Sequence, residues 1–264
     1  MSRNLMIAVL LVLVGITAWL GYRAFREPVH TDKPPGAWAA QLAGNDEDLR
    51  YEAAYMLKSY GAEGVPALVE QLGRYVGKGP GERPDATHEG DPRRLAQQAL
   101  ILIGSPAAPA LVEALAWEEE LERSMAASAL VEIADDDPSV VTESLPRLAA
   151  LVAHENPMTA GYAGWLVKAH GGSTGVAALE AQLARDADGA RQVIQTLGVI
   201  DGAPNPTSYL ADPRPPVRLA ALQVLAGLDA NQDHDAVLLG ALSDEDEDVR
   251  TWAATLLDRG GSQA

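Results

Sequence analysis

Residues 212–225 read DPRPPVRLAALQVL, and residues 244–257 read DEDEDVRTWAATLL. Asp212, Val217, Arg218, Ala221 and Leu225 return thirty-two residues later as Asp244, Val249, Arg250, Ala253 and Leu257, with every internal spacing kept. A period of that length marks tandem structural repeats, each a supersecondary unit that buries its apolar face against its neighbours. Within the first copy, Val217, Ala221, Leu225 and Leu228 lie three or four residues apart, which places them in one stripe along a helix, while Ala220 allows close approach beside them. Outward from this pair the lettering loosens but persists. Leu49, Arg50, Ala53 and Leu57 carry it near the other end. A second block, Pro66, Ala67, Leu68, Val69, Glu70 and Leu72, returns as Pro109, Ala110, Leu111, Val112, Glu113 and Leu115. There a proline opens the helix, where its missing N–H costs nothing, and Gly61, Gly64 or Gly104 marks the break before it. Helix, turn, helix is the repeating element.

The chain holds about six to seven such units. First helices are expected near 46–60, 92–103, 119–134, 157–169, 187–200, 213–227 and 246–258, and second helices near 65–76, 107–116, 139–153, 174–184 and 234–242. The units near Arg94, Arg123 and Arg191 follow the lettering loosely, and around Gly161 to Leu166 the arginine is missing. Five prolines between Asp201 and Pro216 leave room for only a short or distorted second helix in the fifth unit. A Gly/Pro-rich stretch, GRYVGKGPGERPDATHEGD at 73–91, reads as an exposed insertion of the kind a stack tolerates at its turns. The last helix lacks a second half, so it either caps the stack or is covered by something else, with Trp252 read as core packing ahead of a partner anchor.

These motifs resemble the HEAT superfamily, and in particular the short HEAT-like repeats first associated with phycobilisome lyases. The resemblance covers about residues 37–259, and its best motif, D-x4-V-R-x2-A-x3-L, occurs twice in full. It implies an all-α superhelix, an α-solenoid, that acts by binding other proteins. It also implies that the acidic residue and the arginine of successive units form a ladder along the turns, which makes Arg50, Asp212, Arg218, Asp244 and Arg250 structural candidates. Physical chemistry agrees: an Asp before a helix caps its exposed N–H groups, and a partly buried Arg needs carboxylates or carbonyls nearby.

Composition supports helices over sheets. Aromatic residues are 5% of the chain with a single Phe, and Ala and Leu dominate the apolar content, which suits close helix packing. The 37 acidic residues against 20 basic give a formal net charge of -17, so a nucleic-acid backbone would be repelled. Without cysteine there is no disulfide framework, thiolate metal site or cysteine nucleophile. Setting aside Arg3, Arg23, Arg26 and Glu27 leaves 17 basic and 36 acidic residues, so the repeat region holds the acidity at -19. That charge either maintains solubility or forms an acidic surface that receives a basic protein segment.

At the N-terminus, Leu5 to Tyr22 is free of charge, and eighteen residues at 1.5 Å each give roughly 27 Å of helix, close to a bilayer's hydrocarbon thickness. The expectation is a membrane anchor at 1–26 with a transmembrane helix over about 5–22, favoured over a cleaved signal because Tyr22 or Trp19 would occupy the position a peptidase needs small. Residues 27–36, EPVHTDKPPG, then read as a Pro-rich spacer before the repeat array at 37–264. The expected location is therefore a single-pass membrane protein with an exported repeat domain, periplasmic or extracellular, and a cytoplasmic domain as the alternative.

Chemical motifs are weak. Asp229, Asn231, Asp233 and Asp235 stand at the first four alternating positions of a calcium-loop pattern, but His234 replaces its glycine and Gly240 its closing Glu, which favours a polar turn over a metal site. His88–Glu89 and His154–Glu155 resemble the His–Glu pairs of deoxyhypusine hydroxylase, a HEAT-like iron enzyme, yet His88 sits in the insertion and His154 at a helix end. Asp135, Asp136 and Asp137 before Pro138 suit the start of a helix. No phosphate loop, nucleophile elbow or His-Glu-x2-His helix occurs. The sequence thus assigns no catalytic residue and no cofactor. It favours a membrane-tethered scaffold or adaptor that binds a protein, with self-association through the C-terminal end open, and the alternative is a bilin-lyase-like or iron-hydroxylase-like enzyme.

Overall fold

A computed structural model of the chain describes residues 33–73, 91–228 and 235–261. Among these residues every regular element is helical. The α-helices are α1 (Pro35–Leu42), α2 (Glu47–Ser59), α3 (Val65–Leu72), α4 (Pro92–Ile103), α5 (Ala108–Ala114), α6 (Glu120–Asp136), α7 (Ser139–Val152), α8 (Pro157–His170), α9 (Gly172–Arg185), α10 (Ala190–Leu197), α11 (Pro215–Leu228), α12 (Asp235–Ala241) and α13 (Glu247–Gly261). Short 3-10 turns precede α3 at Gly61–Gly64 and α5 at Ser105–Ala107, and a third, Pro206–Ala211, stands where the fifth unit's second helix would be.

The helices stack in two rows. In one, α2, α4, α6, α8, α10, α11 and α13 each touch the next; in the other, α1, α3, α5, α7 and α9 do the same. That arrangement is an α-solenoid, in which each unit is held by its neighbours and not by a common centre. The alanine of the repeat lettering shows why the rows close. Ala53, Ala126, Ala163, Ala221 and Ala253 are all 0% exposed, so the absent side-chain bulk is what lets one helix lie against another. One apolar cluster runs without a break from Trp38 to Val224, and a small second one, Leu222, Leu238 and Val249, joins the last units.

Helix starts follow from capping chemistry. Asp46 accepts from the Leu49 N–H (3.2 Å), Asn156 from Met158 (2.9 Å), and Asp246 from Asp248 (3.0 Å) and Val249 (3.2 Å), satisfying donors that the first turn leaves without partners. The fifth unit's first helix is shorter than the expected 187–200. Its start is set by Gly189, at φ +71, where an added Cβ would fall 2.3 Å from the Ala153 carbonyl oxygen, so the chain can pass only as glycine.

Two expectations are revised. Helix α1 begins at Pro35, inside the stretch read as spacer, and its Trp38 and Leu42 are buried against the first unit; it takes the place of a second-row helix ahead of α2. The single-pass membrane location is not supported: among the described residues, no helix is long and apolar enough to cross a membrane. The segment 5–22 that suggested it lies outside the described residues, as does nearly all of the insertion at 73–91.

Candidate functional site

Four arginines of the repeat do one thing in common. Arg50 Nη1 donates to the Gly44 carbonyl (3.1 Å), Arg123 to Trp117 (2.6 Å), Arg218 to Asp212 (2.9 Å) and Arg250 to Asp244 (2.8 Å), each to the carbonyl six residues back. Each guanidinium therefore folds over the turn that precedes its own helix and satisfies carbonyls that the turn strands. Arg218 alone of these also crosses to the next unit, in a two-pronged contact with Asp244: Nη2 to Oδ1 at 2.7 Å and Nε to Oδ2 at 2.9 Å. That pairing holds the Asp244 carboxyl below the usual carboxylate range. The carboxylate of Asp212 goes to Arg214 of its own unit (2.9 Å), whose hydrogen bond lowers it likewise.

Of the five structural candidates, Asp212, Arg218, Asp244 and Arg250 thus meet at the junction of the last units, while Arg50 performs its turn contact at the far end of the array. Sequence reasoning missed Arg93. It took the neighbouring Arg94 as the unit's arginine, yet Arg93 is 1% exposed and binds Asp91 (2.9 Å) and, across the junction to the third unit, Glu122 (3.3 Å). A signal was available, because the tripeptide Asp-Pro-Arg occurs at 91–93 and again at 212–214, and in both copies the Arg side chain grips the Asp two residues before it.

Asp229, Asn231 and Asp233, from the calcium-like stretch, lie outside the described residues, and Asp235 opens α12. His88 and Glu89 also lie outside. His154 Nδ1 accepts from the Asn156 N–H (3.0 Å) and so serves the turn before α8. No group of three or more His, Asp or Glu side chains is placed to hold a metal among the described residues. Trp252, near the end of the array, is half-buried.

Hollows open on both rows: one of about 330 Å³ lies on the second, between α5 and α7, and two larger ones lie on the first. A cavity of about 550 Å³ opens between α6 and α8, where Ala127 and Val131 face Met158, Gly161, Tyr162 and Trp165. A second, of about 420 Å³, opens on the other side of Trp165 toward Gln195 and Thr196 of α10 and Val199 just past its end. Its depth comes from small residues. Ala160 stands where other units carry the arginine, and the following position, Tyr51, Ser124, Leu219 and Thr251 elsewhere, is Gly161, where an added Cβ would meet nothing within 4 Å. Met158 and Trp165, which line these cavities, keep 44% and 46% of their surface exposed.

Residues 204–264 match the family described as HEAT repeats. No curated protein matches the chain. Among solved structures, three engineered proteins from the Northeast Structural Genomics Consortium are similar at 19%, 18% and 20% identity. The matches cover 86%, 86% and 87% of this chain and 96%, 68% and 99% of the respective engineered chains. Their TM-scores are 0.34, 0.32 and 0.34. The narrower phycobilisome-lyase-type grouping rests on the sequence resemblance alone. The last units, residues 204–264, thus match HEAT repeats, and the helical stack to which they belong extends from α1 to α13.

Proposed function

We propose that this protein is a non-catalytic scaffold or adaptor whose stacked first-row helices hold another protein along their exposed face. HEAT repeats support protein interaction in general; the observation that carries the reading for this chain is the run of half-exposed apolar side chains, Met158, Trp165 and Val199, across adjacent units. Neighbour packing fixes the spacing of those units, so a partner can be held through many small contacts without a deep central pocket. The arginine contacts at the turns support the same mechanism, since a surface that binds by its shape needs rigid junctions. A net charge of -17 favours a partner segment of basic character and speeds encounter with it.

The test is site-specific photocrosslinking in cells that express the full chain, with the reactive group at Ser128 or Gln195 on the first row and at Glu143 on the second. The expected result is a discrete protein adduct from the first-row positions that is absent from Glu143. Adducts of equal yield from both rows, or none from either, would overturn the reading.

A further inference from the structure

The groove between α6 and α8 is apolar in its middle and acidic at its ends, and that pattern specifies what it receives. Along α6, Glu120, Ser124, Ser128, Val131 and Asp135 follow one another at three- or four-residue spacing, so they lie on one stripe of the helix. Ser124, Ser128 and Val131 line the groove, and the two acidic residues stand one turn beyond it at either end. The sixteen residues from Glu120 to Asp135 span about 22 Å of helix. Glu155, just before α8, adds a charge at the Glu120 end, and Glu132 adds one beside Val131 at the other.

Glu120, Glu132 and Glu155 are exposed, and none forms an ion pair among the described residues. Asp135 has only the His170 imidazole, at 3.5 Å. Lys168 is the single cation lining either cavity of this face. The acidic ends therefore have little to neutralise them, while the middle leaves apolar surface in water.

We propose that this groove is the docking site for a partner segment of about fifteen residues, helical when bound, with apolar side chains at its centre and Lys or Arg at both ends. Helix-in-groove recognition matches its length and form. The Trp165 ring is the anchor of the contact and the Gly161 backbone its floor. The basic ends of the partner meet Glu120 and Glu155 on one side and Glu132 and Asp135 on the other. The assignment rests on the scaffold reading above, and it names the site and the chemistry of the partner.

The test uses the full-length protein and a synthetic helix-forming peptide of matching length, with Leu and Ala on one face and two lysines at each end; a second peptide carries glutamates in place of the lysines. Binding is read by fluorescence anisotropy of the labelled peptide. The lysine-ended peptide should bind at least tenfold more tightly than the glutamate-ended one, and more weakly as salt is raised. Gly161→Leu fills the groove at a site where an added Cβ meets nothing within 4 Å, and a helix accepts leucine better than glycine, so the fold is retained while binding drops at least tenfold. Trp165→Ala should weaken binding, and Glu120→Gln with Asp135→Asn should remove most of the salt dependence. Equal binding of the two peptides, no binding of either, or full binding to the Gly161→Leu protein would overturn the proposal. So would self-association of the protein that Gly161→Leu abolishes, since the occupant would then be a second copy. If crosslinked partners persist on the first row of the Gly161→Leu protein, the groove assignment fails and the scaffold reading stands; if no partner is ever captured, the scaffold reading fails.

Discussion

Replacing Arg93 by methionine tests whether the stack is held by its junctions. The guanidinium is 1% exposed and its partners are nearly as sheltered, with the Asp91 and Glu122 side chains at 7% and 4%. Asp91 belongs to the same unit, whereas Glu122 lies on α6 of the next, so the pair crosses a repeat junction. Methionine fills comparable space but strands two carboxylates in a site of low polarity. Breaking a buried pair from one side costs about 3–5 kcal/mol, much of it the penalty on the charges left behind. Arg147 and Glu113 provide the contrast: their contact is shorter, at 2.6 Å, but the side chains are 45% and 60% exposed, and such a pair contributes under about 1 kcal/mol. Urea unfolding followed by circular dichroism should therefore show a large loss for Arg93→Met and almost none for Arg147→Met. Adding Glu122→Leu to Arg93→Met should recover part of the loss, because one stranded charge is removed and the two changes share a partner. If Arg93→Met costs no more than Arg147→Met, or if the double variant loses the sum of the two single losses, the junction argument is wrong.

Gly189→Ala should destabilise by more than about 1 kcal/mol, since it combines a positive φ with a Cβ placed 2.3 Å from the Ala153 carbonyl, whereas Gly161→Ala should be neutral or stabilising by up to about 1 kcal/mol; thermal unfolding compares them directly. Asp244 is lowered by its contact with Arg218, so its contribution to stability is full at neutral pH and declines as the pH falls below the usual carboxylate range; Asp244→Asn should flatten the acid limb of the stability curve, and an unchanged limb would contradict the assignment. Burial and the nearby Glu180 raise the Tyr209 hydroxyl to about 12, so alkaline difference spectroscopy should find one tyrosine ionising after the exposed ones, and Tyr209→Phe should abolish that late step.

The legibility of this chain follows the reach of each interaction. A thirty-two-residue period with Asp, Arg, Ala and Leu in fixed places reports contacts that recur in several units, and for that reason the helical pairs could be placed from the sequence. Helix α1 was hidden because Pro34 and Pro35 read as a spacer, although a proline at the opening of a helix is equally at home there, and the deciding fact is that Trp38 finds a buried place on the first unit. Arg93 was hidden by one residue. Its neighbour Arg94 also fits a helical arginine; the repeated Asp-Pro-Arg tripeptide points to Arg93, but its contact across the junction with Glu122, twenty-nine residues on, is visible only in three dimensions.

The groove was hidden for a different reason, and it shows how a repeat protein acquires a site. Repeated residues have repeated duties, chiefly to hold turns and rows together, and those duties leave little freedom for recognition. In α8 the arginine position is Ala160, and the first turn of the helix is tied to the array by other means: Thr159, wholly buried, donates its hydroxyl to the Leu115 carbonyl at 2.8 Å. With that tie in place, Gly161 and Trp165 need not serve the stack, and they can differ from the residues at the same positions in other units, Tyr51 and Tyr55, Ser124 and Ser128, Thr251 and Thr255. The departure from the motif first read as a loose unit is thus the place where the surface has room to become specific.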